Sequence, residues 1–133
     1  MRRLALFAIM AGLATTPASA TEWIDCSDVA GSGASFNFLV GASDVLAVAG
    51  LTITAGKDSW SSNAAYGPGN DVAVGQAFED ADSIRIDAID AKGGAKIAEL
   101  RLFKAQEGGG DEVDAGTLKI VGHGAWVVSC VGP

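Results

Sequence analysis

The stretch SIRIDAIDAKGGAKIAELRLF (residues 83–103) contains the clearest pattern in the chain. Apolar and polar side chains alternate in both of its halves, which is the period of a β-strand with one buried face. The residues predicted to share that face are Ile84, Ile86 and Ala88 in the first half and Ala98, Leu100 and Leu102 in the second. Gly93 and Gly94 lie between the halves and can supply the positive φ angles of a tight turn. The sequence therefore predicts a β-hairpin.

The second half of this stretch also has the composition of a helix, because Ala, Lys, Glu, Leu and Arg are good helix formers. Its short length, its strict alternation and the Gly-Gly pair before it favour a strand.

Similar patterns recur along the chain in SFNFLV (35–40), DVLAVAGLTITA (44–55), DVAVGQAF (71–78) and GTLKIVGHGAWVVSCV (116–131). They are rich in Val, Ile, Leu and Phe and are separated by turn residues, and no other helical period is convincing. About seven or eight short strands at such spacings predict an all-β fold. We expect a single antiparallel β-sandwich spanning residues 21–133, with a small closed β-barrel as the alternative.

Residues 1–20, MRRLALFAIMAGLATTPASA, have the layout of a cleavable secretory signal peptide. Arg2 and Arg3 form a basic start, an apolar run follows, and Ala18 and Ala20 supply a small-residue cleavage site. The apolar run is too short for a stable membrane anchor. A lipid-anchored precursor would need a cysteine directly at the cut, so we expect a periplasmic or secreted protein without a membrane anchor.

The charge of the mature chain is strongly negative. The whole chain has a formal net charge of −7, and removal of Arg2 and Arg3 leaves seven Lys and Arg against sixteen Asp and Glu, or −9. Such a surface repels nucleic acid and anionic lipid, which excludes nucleic-acid binding, and it suits a cationic partner. An acidic surface that only maintains solubility is the alternative.

Two cysteines, Cys26 and Cys130, lie near the two ends of the mature chain. In an oxidising compartment an isolated pair most simply forms one disulfide, which would make the first and last strands neighbours. Trp23 and Trp126 are then candidates to pack near the bridge. A redox pair or half a zinc site is disfavoured, because there is no C-x-x-C spacing and one histidine cannot complete the ligand set.

His123 is the only histidine, so it is the only candidate base for a Ser-His-Asp hydrolase. No serine lies in a G-x-S-x-G elbow, and the strand-to-helix setting of such an elbow is absent. Gly122 and Gly124 flank the histidine and indicate a tight hairpin turn with His123 at its tip. We therefore expect no enzyme, no catalytic residue and no cofactor, and a small hydrolase is the least favoured function.

Residues 56–71 form the most informative predicted loop. This segment is polar and rich in glycine, yet it contains Trp60 and Tyr66, which a polar loop does not require. Aromatic residues in such loops are typical of binding surfaces. The leading hypothesis is an exported, non-enzymatic binding module, such as an inhibitor of a cationic enzyme, which recognises a protein partner through Trp60, Ser62 and Tyr66.

The segment SNAAYG (residues 62–67) is similar to the Ser-Gly-x-x-Tyr loop of periplasmic lysozyme inhibitors. The resemblance covers six residues. Asn63 stands in place of the family's glycine, and the second Tyr and the Thr-Lys-Gly loop of the family have no counterpart. The resemblance implies a small exported β protein that plugs the active cleft of a cationic enzyme.

Acidic loops suggest a second function. Residues 106–116 contain Asp111, Glu112 and Asp114, whose hard oxygen ligands suit calcium, and EDAD at residues 79–82 is a further acidic run. Neither run has EF-hand spacing, so solvated acidic loops are favoured and no metal site is assigned. The alternative hypothesis is a calcium-dependent structural or adhesive domain.

Overall fold

The structure, a computed structural model, describes residues 21–132. Within this range the chain forms nine strands and no helix long and apolar enough to cross a membrane. The strands are β1 (Glu22–Asp28), β2 (Ala34–Val40), β3 (Val48–Ala55), β4 (Asp58–Ser61), β5 (Asn70–Glu79), β6 (Ser83–Asp90), β7 (Lys96–Ala105), β8 (Val113–Ile120) and β9 (Gly124–Val131). The expected signal peptide lies outside the described residues.

The strands close into one barrel, because each pairs with the next in sequence and β1 pairs with β9. The all-β prediction is confirmed, and the architecture is the alternative barrel instead of the favoured sandwich. Sandwiches and barrels bury one face of every strand in the same way, so alternation does not separate them. The register at the seam decides the architecture, because Cys26 lies directly opposite Cys130 and joins the two edges of the sheet.

The predicted disulfide between Cys26 and Cys130 is present, with Cα atoms 4.0 Å apart and a sequence separation of 104. In the chain-entropy model a cross-link that closes a loop of this size lowers the entropy of the unfolded state and so stabilises the fold by about 4.7 kcal/mol. Trp126 packs against the core on the same face of β9 as Cys130. Trp23 lies on the opposite face of β1 from Cys26. A disulfide of this kind indicates an oxidising, extracytoplasmic compartment.

One strand pair is parallel. Nine alternating strands would bring β1 and β9 together in the same direction, yet these two strands pair antiparallel. One other pair must therefore be parallel, and it is β4 with β5, where Trp60 lies opposite Asn70 and Ser61 opposite Asp71. After β4 the chain leaves the barrel wall, crosses the outer surface of the wall and returns as β5, which pairs with β4.

The hairpin of β6 and β7 confirms the predicted alternation, and the strand interpretation of residues 96–105 is confirmed. Among its turn glycines only Gly94 has a positive φ, at 71°. The largest fully buried side chains fill the barrel interior, and they are Phe36, Phe38, Leu51, Ile53, Ile84, Ile86, Leu100, Leu102, Leu118, Ile120, Val128 and Cys26. Because the interior is packed, we place candidate binding surfaces on the outer wall or at the barrel ends.

Three turns are braced by the carboxylates of Asp28, Asp80 and Asp90. Asp28 accepts hydrogen bonds from the backbone N–H groups of Ala30 at 2.8 Å and Ser32 at 2.7 Å, and from the Ser32 hydroxyl. The pKa of each carboxyl lies below its ordinary value, because these hydrogen bonds favour the charged form; for Asp28 the Ser32 hydroxyl is the largest cause. These three carboxylates therefore stabilise turns of the barrel.

Candidate binding site

The three residues predicted to contact a partner lie in two different environments. Trp60 belongs to β4 instead of a loop, and its side chain is 8% exposed within the core cluster. Ser62 and Tyr66 follow β4 on the outside of the barrel, and Tyr66 is 38% exposed. Four residues of the predicted loop instead form β4, and Trp60 on this strand is buried. Trp60 is therefore not exposed for contact with a partner, as the prediction requires.

Backbone hydrogen bonds hold the turn that carries Tyr66. Ser62 extends the pairing of β3 by donating its N–H to the Leu51 carbonyl at 3.0 Å and accepting the Leu51 N–H on its hydroxyl at 2.9 Å. The Asn63 carbonyl accepts the Tyr66 N–H at 2.9 Å, and the Asn63 side chain accepts the Ala65 N–H at 2.9 Å. Asn63 thus closes an Asx-type turn and fixes the position of Tyr66.

Tyr66 packs onto the outer face of the wall against Trp23. Their ring centroids are 5.3 Å apart and their planes meet at 82°, an edge-to-face arrangement. Trp23, Leu39 and Gly50 form one cross-strand row over β1, β2 and β3. A Cβ atom added to Gly50 would lie 2.7 Å from the Tyr66 ring, so the glycine leaves the space that the ring occupies.

The next outward-facing row lies beside this aromatic pair. Asp25, Asn37 and Thr52 are opposite one another on β1, β2 and β3. With Trp23, Tyr66 and Ala65 they line a cleft of about 310 Å³. The Asn37 amide donates to the Thr52 hydroxyl at 3.3 Å, but its Oδ1 atom is buried and has no hydrogen-bond partner in the described chain. The cleft therefore combines two aromatic rings, an exposed carboxylate and an unsatisfied acceptor.

His123 lies in the turn between β8 and β9, as predicted, and it has a partner that sequence reasoning missed. Its Nε2 is 2.8 Å from Asp58 Oδ2, its Nδ1 is 3.1 Å from the Val121 carbonyl oxygen, and its ring meets Trp60 edge to face at 5.1 Å. Both ring nitrogens face acceptors, which favours the imidazolium. The Asp58 carboxylate, and then the Val121 carbonyl, raise the pKa of His123.

The residues considered for calcium line a different cleft. Asp111, Glu112 and Asp114 surround a volume of about 420 Å³ together with Glu79. Burial, and then the charge of Glu112, raise the pKa of Asp114. Among residues 21–132 no group of three or more His, Cys, Asp or Glu side chains is placed to hold a metal ion.

A larger cavity of about 470 Å³ lies at one end of the barrel, lined by residues that include Trp60, Asp71, Asp90 and Lys92. The Asp90 carboxylate already accepts the backbone N–H groups of Lys92 at 2.7 Å and Gly93 at 3.1 Å. Because Asp90, one of its two acidic residues, braces the turn, this cavity is a weaker candidate than the cleft at Tyr66.

No family model matches the chain, and comparisons with curated proteins and with solved structures give no match either. The cleft residues Trp23, Asp25, Asn37 and Thr52 had not been singled out as binding residues from sequence. Asp25, Asn37 and Thr52 alternate with buried or half-buried residues in β1, β2 and β3, and this alternation marks their outward direction. Only the position of Tyr66 shows which outward residues form the cleft.

Proposed function

We propose that the protein is an exported, non-enzymatic binding module that recognises a protein partner with the cleft beside Tyr66. The observation that carries this proposal is the pair of the half-buried Trp23 and the 38% exposed Tyr66, which lies next to the unsatisfied Asn37 oxygen. Aromatic rings supply large contact area at low entropic cost, and a buried acceptor without a donor gains free energy when a partner supplies one. Trp23 thus replaces Trp60 in the proposed surface.

The rigidity of the site supports recognition by a preformed surface. Trp23 belongs to a strand tied to β9 by the disulfide, and Tyr66 is held by the hydrogen-bonded turn at Asn63. A site that is already ordered loses little conformational entropy on binding, so more of the contact energy appears as affinity.

The non-enzymatic part of the proposal is supported by the surroundings of His123. A general base needs a ring nitrogen with a free lone pair directed at the nucleophile. Both nitrogens of His123 instead face oxygen acceptors, from Asp58 and Val121. The disulfide supports the exported part, with the periplasm or the extracellular space as the proposed location.

The proposal is tested by capture from periplasmic and culture extracts on the immobilised, disulfide-bonded protein, with a basic lysozyme as an additional purified candidate. A Trp23→Ala/Tyr66→Ala double variant is expected to lose the captured partner, whose affinity for the unaltered protein is then measured by calorimetry. Phe103→Ala is the matched control, because Phe103 is an aromatic residue on β7 that is 75% exposed. Capture that survives the double variant, or that is lost in Phe103→Ala instead, would overturn the proposal.

A further inference from the structure

We infer that the cleft between Trp23 and Tyr66 binds an arginine side chain of the partner, an inference that rests on the proposed binding function. The cleft offers acceptors, aromatic rings and negative charge in one place, and the guanidinium group is the protein side chain that matches all three.

The hydrogen-bonding groups of the cleft are mainly acceptors, so they favour a ligand that donates hydrogen bonds. Asn37 Oδ1 has no partner in the described chain, and the Thr52 hydroxyl already accepts the Asn37 amide. Asp25 is exposed, and its carboxylate forms no ion pair with any described residue. Asp25 and Asn37 are direct cross-strand neighbours, so a forked group bound by the exposed Asp25 carboxylate lies next to the Asn37 side chain. Guanidinium presents five N–H donors in such a fork and no acceptor.

The aromatic walls favour the same ligand. Arg side chains stack on aromatic faces and interact with the negative ring quadrupole, and Trp is the strongest partner for this contact. The edge-to-face packing of Tyr66 on Trp23 sets two ring planes at 82° beside the acceptors. A planar cation can therefore lie on a ring while its edge donates to Asp25.

The wall of β1, β2 and β3, which carries the cleft, has no basic residue. On the wall of β6, β7 and β8 three basic groups, those of Lys96, Arg101 and Lys119, pair with Asp87 or Glu99. The distances are 2.7 Å from Arg101 to Asp87 and 3.4 Å from Lys119 to Glu99. No basic residue lines the cleft. Because the chain beyond residue 20 carries −9, its field concentrates cationic groups at the surface.

Two other ligand classes fit less well. An anion would meet the Asp25 carboxylate with no basic side chain to offset it. A neutral saccharide can stack on Trp23, but its hydroxyl groups do not benefit from the charge of Asp25 as a guanidinium does. The saccharide is therefore kept as an outcome of the test.

The test is a ¹H–¹⁵N NMR titration of the disulfide-bonded protein with N-acetyl-arginine-methylamide and with the neutral citrulline analogue of the same shape. We expect the indole N–H of Trp23 and the side-chain amide of Asn37 to shift, while the indoles of Trp60 and Trp126 stay in place. Arginine should bind about tenfold more tightly than citrulline, as expected for one hydrogen bond between charged groups. Equal affinities, or shifts caused only by chitin and cellulose oligosaccharides, would overturn the inference.

Asp25→Asn is expected to remove the preference for arginine over citrulline. The matched control is Glu22→Gln, which makes the same charge change on the same strand but outside the cleft, and it should retain the preference. Retention of the preference in Asp25→Asn would also overturn the inference. The two proposals can fail separately. If a partner is captured through Tyr66 but arginine is not preferred over citrulline, only the inference about arginine is wrong. If arginine binds but no partner is captured, the proposed function is wrong.

Discussion

The protein contains two edge-to-face aromatic pairs of nearly the same geometry. Trp23 and Tyr66 lie 5.3 Å apart at 82°, and Trp60 and His123 lie 5.1 Å apart at 89°. Each pair takes one ring from the segment of residues 56–71. They differ in what surrounds them: Trp60 is 8% exposed, while Tyr66 is 38% exposed and borders an open cleft.

The polar groups show the same contrast. We call Trp60 with His123 the inner pair and Trp23 with Tyr66 the outer pair. In the inner pair both nitrogens of His123 have acceptors, so its hydrogen-bonding groups are satisfied. Beside the outer pair the Asn37 oxygen has no donor, and Asp25 forms no ion pair with any described residue. Ring geometry is therefore not what distinguishes the proposed binding pair from the packing contact. Exposure and unsatisfied hydrogen-bonding capacity make the distinction.

The largest difference between the pairs is expected in stability. Trp60→Ala removes a large buried side chain and should lower the free energy of unfolding by about 3–5 kcal/mol. Tyr66→Ala removes a partly exposed ring, of which the edge-to-face contact contributes about 0.5–1.5 kcal/mol beyond the buried area, and the total loss should stay below that of Trp60→Ala. Urea unfolding of both variants with the disulfide intact measures the two values.

A matched substitution that retains a ring, Trp60→Phe, should recover part of the loss and show that the deficit arises from the cavity. If Trp60→Ala and Tyr66→Ala destabilised the protein equally, the distinction between an inner structural pair and an outer binding pair would be lost.

Alternation alone predicted the strands and their buried faces, because the buried face of each strand is a local property. Ile84, Ile86 and Leu100 were assigned to the core from their spacing and are fully buried. Closure depends on the register between Cys26 and Cys130, which lie 104 positions apart. The cysteine pair indicated that the first and last strands are neighbours, and this is compatible with both a barrel and a sandwich.

The fourth strand could not be predicted from its sequence. DSWS is short and polar, and its partner β5 runs parallel to it, so neither a hydrophobic alternation nor a hairpin turn marks it. The contacts of Trp23 with Tyr66 and of Asp58 with His123 also join residues far apart in sequence. Tyr66 was found from sequence because an aromatic residue in a polar segment is itself a local signal.

Gly50→Ala tests the outer pair without changing either ring. The added Cβ would lie 2.7 Å from Tyr66 Cε2, so the ring has to move, while the backbone of Gly50 does not require glycine. We expect the affinity for the arginine compound to fall about two- to fivefold, the size of an exposed cation–π contact. The unfolding free energy should change by less than about 1 kcal/mol, since alanine is favoured over glycine in a strand.

The control is Gly93→Ala, because a Cβ atom at this position has no atom within 4 Å and its φ is not positive. It should leave the NMR titration unchanged. An unchanged affinity in Gly50→Ala would mean that the position of the Tyr66 ring does not matter for binding.

The smallest effect is expected from the inner pair, as a dependence of stability on pH. The hydrogen bond with Asp58 raises the folded-state pKa of His123 above its ordinary value of 6.5. The stabilisation is therefore fully present below about pH 6.5 and is lost as the pH rises through the folded-state pKa. The difference in unfolding free energy between the unaltered protein and His123→Gln should shrink over that interval.

Because His123 is the only histidine, a single ring resonance reports its pKa. Asp58→Asn should lower this pKa and Asp44→Asn should not; a pKa unaffected by Asp58→Asn would show that the carboxylate does not hold the inner pair.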